Sequence, residues 1–95
     1  MMVGKARKKP VEIEYMQYIG SNKYELYEWS NGKVFEVKES VYDIDYPSSY
    51  RYYLNVETLE GFLVVSLGDY IVKGVEGEFY PVDPDIFEKT YEVID

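Results

Sequence analysis

The chain contains no cysteine and no histidine. Without cysteine there is no disulfide framework and no thiolate metal site. Without histidine the usual zinc sites, the Ser-His and Cys-His nucleophile pairs and the commonest general base are removed as well. Carboxylates, lysine and tyrosine remain, so chemistry is narrowed rather than abolished. No apolar run approaches the roughly 20 residues that a membrane-spanning helix needs. The N-terminus is basic, but Glu12 and Glu14 follow it where a secretory signal would have an apolar segment. These features predict a cytoplasmic protein with no membrane partner, no cofactor, no metal and no catalytic residues.

What is present is a short, acidic, strongly aromatic chain. Its 95 residues are enough for one core, and 46% of them are hydrophobic, as a folded domain requires. We expect a flexible basic tail over residues 1–9 and a single domain over 10–95. Charge is unevenly placed. Residues 1–10 carry Lys5, Arg7, Lys8 and Lys9 and no acid, a net +4; the other 85 hold 6 bases and 18 acids, a net −12. So acidic a body repels phosphate backbones, which disfavours nucleic acid as a partner of the globule. It provides solubility, or a surface that mimics nucleic acid in the basic groove of another protein.

Hydrophobic periodicity and turn residues divide the chain into short elements. Pro10 biases the tail toward an extended form. Val11-Glu12-Ile13-Glu14-Tyr15 alternates, predicting a strand with Val11, Ile13 and Tyr15 inward that continues to about Tyr18. Ser21 or Asn22 is suited to cap a helix ending near Trp29, although Tyr24 and Leu26 also alternate as in a strand. Asn31-Gly32 supplies a helix stop. Lys33–Lys38 reads as a second strand with Phe35 and Val37 inward. Residues 39–50 read as an irregular polar stretch, and Arg51–Glu57 as a third strand.

The remaining segment is punctuated by glycine. Phe62–Leu67 is apolar on both faces, which predicts a central strand. Gly68-Asp69 leads into Tyr70–Val75, and Glu76-Gly77 into Glu78–Tyr80; connections this short predict antiparallel neighbours. Asp83-Pro84 is a helix start, cap followed by first-turn proline. Ile86 and Phe87 are expected to pack back on the sheet, with Thr90 and Tyr91 one turn on. The expected fold class is α+β: a mainly antiparallel, curled or barrel-like sheet of five to six strands with two short helices.

Twelve tyrosines in 95 residues require an account. Tyrosine favours strands, and its ring fills a small core while its hydroxyl reaches water. It is also enriched in contact surfaces. The segment Tyr42–Tyr53 mixes aromatics with loop-forming residues, which makes Tyr42, Tyr46, Tyr50, Arg51 and Tyr53 the candidate interaction surface, for a protein or a second copy. Stacking on nucleic acid would need basic neighbours, and only Arg51 is close, against Asp43 and Asp45.

Motifs for chemistry are weak. Asp43-Ile44-Asp45 lacks the glycine and distal glutamate of a calcium loop. Asp83 is accounted for as a cap. Gly68, Gly74 and Gly77 lack the Gly-Lys-Ser/Thr and following helix of a phosphate loop and read as turn glycines. Ser48, Ser49 and Ser66 have no histidine partner. Lys33, Arg51 and Lys73 are the few cations available to hold a nucleotide-like small ligand.

Two blocks carry a family pattern. One is Lys5-Ala6-Arg7-Lys8-Lys9-Pro10-Val11-Glu12. The other runs from Thr58-Leu59-Glu60-Gly61 through Gly68-Asp69-Tyr70-Ile71-Val72-Lys73-Gly74-Val75-Glu76-Gly77-Glu78-Phe79-Tyr80-Pro81 to Pro84-Asp85-Ile86-Phe87-Glu88-Lys89-Thr90-Tyr91-Glu92. Together they resemble a family of small phage and prophage proteins common in tailed phages of Gram-positive bacteria. The resemblance spans roughly half the chain and is weakest from Ser21 to Tyr53. Two positions depart from it: Leu67 stands where members often have proline, and Val82 where they often have cysteine, which points to packing rather than thiol chemistry there. The resemblance implies a phage accessory protein in the host bacterial cytoplasm and supplies no catalytic residue.

Three functions are therefore expected, in this order. The first is a non-enzymatic accessory protein that contacts a host or phage protein or itself. The second is an acidic nucleic-acid-mimicking inhibitor of a host defence or DNA-processing protein. The third is a nucleotide-like ligand binder.

Overall fold

The computed structural model describes residues 2–42, 44, 45 and 49–94. In chain order the elements are β1 (Glu14–Gln17), α1 (Lys23–Trp29), β2 (Val34–Val41), β3 (Ser49–Thr58), β4 (Gly61–Val65), β5 (Tyr70–Lys73), β6 (Phe79–Val82) and α2 (Pro84–Thr90). The class is α+β. The strands do not form one curled sheet, however. They form two antiparallel sheets of three strands each, in the orders β1-β5-β6 and β2-β3-β4. We call these sheet A and sheet B.

The division arises at the turn between β4 and β5. Its short length predicted that these two strands would pair. Instead the turn is bonded to the end of β1: Tyr18 N–H donates to Asp69 O at 2.8 Å, Gly68 N–H donates to Tyr18 O at 2.9 Å, and Gln17 Nε2 donates to Gly68 O at 3.1 Å. Asp69 closes the turn, its carboxylate accepting from Ser66 N–H at 2.9 Å. These bonds draw β5 to β1, in the register Met16↔Ile71, and leave β4 with β3 alone.

Helix α1 is held by polar contacts at both ends. Asn22 occupies the cap position but makes no cap bond to the helix. Its amide bonds backward to β1, donating to Gln17 O at 2.7 Å and accepting from Ile19 N–H at 2.9 Å. At the other end Gly32 (φ 82°) donates its N–H to Tyr27 O at 2.8 Å, a helix stop in the left-handed conformation that glycine adopts freely. Ser30 is fully buried there; its Oγ accepts from Val34 N–H at 2.9 Å and lies 3.3 Å from Tyr27 O. Helix α2 follows the sequence closely. Asp83 caps it by accepting from Asp85 N–H at 2.9 Å, and Pro84 opens the first turn.

The core lies between the sheets. Val34, Leu54, Val56 and Val65 of sheet B meet Ile71 and Phe79 of sheet A and Leu26 of α1, with Met16, Tyr18 and Trp29 packed around them. Trp29 meets Phe79 edge-on at 5.1 Å. Sheet A is covered on its second face as well, by α2. Phe87 is 2% exposed and stacks on Tyr70 at 3.9 Å, with Tyr15 at 4.9 Å and Tyr91 at 5.0 Å. Ile86, expected to share that contact, faces solvent, as does Thr90.

Three strand expectations are corrected. In β1 it is Met16 that packs on the main core, while Tyr15 turns to α2, because sheet A has two buried faces. In β2 the inward residue is Val34, opposite Val56, which puts Phe35 and Val37 on the outer face of sheet B. And β4 is an edge strand, not a central one: Phe62, Leu63 and Val64 are exposed. The stretch expected to be irregular is strand at both its ends, since β2 runs on to Val41 and β3 begins at Ser49.

The protein is elongated. Its radius of gyration is 17.0 Å, with extents of 59 × 40 × 24 Å, against roughly 12–13 Å for a compact chain of this length. Residues 2–12 are exposed throughout, and the far half of the β2–β3 hairpin has its side chains largely in solvent on both faces.

Two substitutions test this packing. Replacing Phe87 (Phe87→Ala) opens a cavity under α2 and should cost about 3–5 kcal/mol. Ser30→Ala leaves the buried Val34 N–H without its acceptor and should cost about 1–3 kcal/mol. Both are read from urea denaturation midpoints, and an unchanged midpoint for either would refute its packing role.

Candidate protein-contact surface

The tyrosine-rich segment folds into the far half of the β2–β3 hairpin. Here the register is Lys38↔Tyr52, Glu39↔Arg51 and Ser40↔Tyr50. Alternation separates the predicted residues onto two faces. Tyr50 and Tyr52 lie on one, where Lys38 Nζ sits 4.1 Å from the Tyr50 ring centroid. Arg51 and Tyr53 lie on the other, with Arg51 bonded to the Glu39 carboxylate at 2.7 Å and its guanidinium 5.8 Å from the Tyr53 ring. The hydrogen bond to Glu39 holds the Arg51 guanidinium above its ordinary value. Tyr42 follows β2 and is exposed. Tyr46, like Asp43, Pro47 and Ser48, lies outside the described residues.

The face that carries Arg51 and Tyr53 continues across sheet B as an apolar stripe. Phe35, Val37, Tyr53, Phe62 and Val64 share it, by the registers Phe35↔Asn55, Val37↔Tyr53, Asn55↔Val64 and Glu57↔Phe62. Phe35 and Phe62 meet edge-on at 5.9 Å. Phe62 is 63% and Val64 60% exposed. Arg51, Tyr53 and Val64 line a shallow depression of about 270 Å³. Sequence reasoning selected Tyr53 and Arg51 but missed Phe35, Phe62 and Val64. The available signal was the unbroken apolar run of β4, which reads equally as a doubly buried strand and as an open edge.

The three candidate ligand cations are not brought together. Lys33 precedes β2 at the base of the hairpin, Arg51 is in its far half, and Lys73 is in sheet A, its Nζ 3.8 Å from the Glu14 carboxylate. Two larger cavities, of about 390 and 580 Å³, lie where residues 8–13 pass the C-terminal end of α2. Lys8, Lys9, Glu78, Tyr80 and Tyr91 line the second. Its wall includes the β5–β6 turn, where a Cβ on Gly74 would overlap the Glu78 carboxylate, so glycine there makes room for the bond from Glu76 N–H to Glu78 at 3.0 Å. Among the described residues no group of three or more carboxylates converges as a metal site, and no helix is long and apolar enough to cross a membrane. Compared with protein-family models, with curated proteins and with solved structures, the chain matches none.

One phenol in that cavity has a measurable consequence. Tyr80 Oη lies 3.1 Å from Tyr91 Oη. Burial, and then the hydrogen bond to Tyr91, push the Tyr80 phenol well above its ordinary value of 10.0. The folded state thus favours the neutral phenol. The stabilisation is complete at lower pH and is lost as pH rises beyond the unfolded value. Thermal melting should hold steady up to about pH 10 and fall above it. Spectrophotometric titration should show the Tyr80 phenol ionising late, and Tyr91→Phe should bring that ionisation to lower pH.

Proposed function

We propose that this chain is a non-enzymatic interaction protein, and that the outer face of sheet B, together with the projecting β2–β3 hairpin, is its contact surface. The observation that carries this reading is the unequal covering of the two sheets. Sheet A is packed on both faces. Sheet B carries Phe35, Val37, Tyr53, Phe62 and Val64 on its outer face, where Phe62 and Val64 are exposed and the other three half-buried. A contiguous exposed apolar patch rimmed by polar residues marks a binding surface in a soluble protein. The rim here is Glu39, Arg51 and Glu57, with Asn55 inside the patch between Phe35 and Val64, and Tyr53 and Arg51 are residue types enriched at such contacts.

The C-terminal resemblance extends the proposal to a setting: a phage accessory protein acting in the host bacterial cytoplasm on a host or phage protein. The nucleic-acid mimic draws less support. The described acids are spread over both helices, both sheets and several turns, and Glu14, Glu36 and Glu39 are spent on Lys73, Lys23 and Arg51. The ligand binder draws less still, because Lys33, Arg51 and Lys73 do not converge.

Affinity capture from infected host cells tests the reading. Bait carrying both Phe62→Ser and Val64→Ser should recover at least about tenfold less of the captured partner than the wild type, as expected for two apolar anchors. Tyr42→Ser with Tyr50→Ser measures the share of the hairpin. Undiminished capture by both baits, with loss on charge reversal of Glu25 and Glu28, would overturn the reading in favour of the mimic.

A further inference from the structure

Each sheet has two edges, and three of the four are protected. In sheet A, β1 has only four residues and begins with Glu14, while β6 contains Pro81 and packs against β3 and β4. In sheet B, β2 is lined with charge: Glu36 is bonded by Lys23 at 2.8 Å, Glu39 by Arg51 at 2.7 Å, and Lys38 lies between them. Short length, charge and proline are the devices that keep strand edges from pairing with other chains. The β4 edge, five residues long and itself in contact with β6, lacks the last two of them. Gly61-Phe62-Leu63-Val64-Val65 carries neither charge nor proline, and among the described residues its hydrogen-bonded strand neighbour is β3 alone. Every second residue of an antiparallel strand directs its N–H and C=O away from a given neighbour, so β4 presents open backbone donors and acceptors at its free side.

We propose that β4 pairs antiparallel with β4 of a second copy, about a twofold axis through Leu63. This rests on the contact-surface reading and extends that surface across a second copy. The segment is a polarity palindrome about that residue. Leu63 faces Leu63, Phe62 faces Val64, and Gly61 faces Val65. Beyond the strand, Glu60 comes opposite Ser66 and Leu59 opposite Leu67, two leucines that are 85% and 71% exposed. Antiparallel pairing places opposite residues on the same face, so the apolar stripe of one copy runs into that of the other.

Charge selects the same partner. The chain carries a net charge of −8, and two copies repel over most of their surfaces. From Gly61 to Gly68 no residue is charged. The acid that ends the segment, Asp69, is engaged with Ser66 N–H. In this register no acid stands opposite another across the ladder. The product is a six-stranded sheet, β2-β3-β4-β4-β3-β2, with a charged β2 edge at each end. The contact is isologous and closed, which yields a dimer and not a filament.

The cysteine-free chain makes the register directly testable. Leu63→Cys introduces a single thiol that the axis places against its copy, close enough for a disulfide on mild oxidation. Wild type should run at twice the chain mass in sedimentation equilibrium. Leu63→Cys should cross-link, and Val41→Cys, on the far edge of the sheet, should not. Leu63→Lys and Leu63→Glu should each be monomeric, with circular dichroism unchanged, and their mixture should restore the doubled mass. A monomeric wild type at the highest attainable concentration would overturn the proposal, as would a dimer that survives Leu63→Lys. In either case, partner capture that still depends on Phe62 and Val64 would leave the broader contact-surface reading standing.

Discussion

The packing of Ile71 and Phe79 against Leu54, Val56 and Val65 is the contact on which the rest of the molecule depends. It joins two sheets that share no hydrogen-bonded strand. A single sheet cannot cover its own apolar face, and the inner faces solve this for each other. Helix α1 closes one side with Leu26 and Trp29, and the buried Ser30 couples that helix to the first residue of β2. Because the two inner faces are committed to each other, the outer faces must be covered separately or remain open.

That asymmetry shapes the function proposed. Helix α2 follows β6 after one residue and folds over sheet A, where Phe87 stacks between Tyr70, Tyr15 and Tyr91. In sheet B, by contrast, Phe62 and Val64 of the outer face stay exposed. Its outer face keeps aromatic and branched side chains that a core would use, and its β4 edge keeps backbone groups that a ladder would use. A side chain such as Phe62 in water stabilises nothing in the isolated chain, whereas in a complex its transfer out of water contributes about 1.5–3 kcal/mol. The net negative charge of the chain opposes indiscriminate association of its copies.

Local chemistry was legible residue by residue. Asp83-Pro84 announced α2, Asn31-Gly32 announced the end of α1, and Glu76-Gly77 announced the β5–β6 turn, because each depends on neighbours within one turn of chain. The candidate surface was legible in part. Tyr50, Arg51 and Tyr53 were selected from composition, and the structure adds that alternation puts them on opposite faces of a hairpin. Phe35 and Val37 misled, since inward and outward apolar residues look alike in a sequence, and only the pairing of Val34 with Val56 decides between them. Lys33, Arg51 and Lys73 were grouped by charge type, a criterion that carries no spatial information.

The sequence by itself determined the α+β class, the two helices and the stop of the first, and the antiparallel character imposed by short connections. It also determined the absence of thiol and imidazole chemistry and the acidic body. These follow from short-range backbone preferences and from counting. Only the tertiary structure decided that the strands divide into two sheets, because bonds from Tyr18 and Gln17 to the distant turn at Gly68-Asp69 outcompete the local pairing of β4 with β5. The same long-range choice turned an apolar run that reads as a central strand into an open edge, and so placed the candidate contact surface.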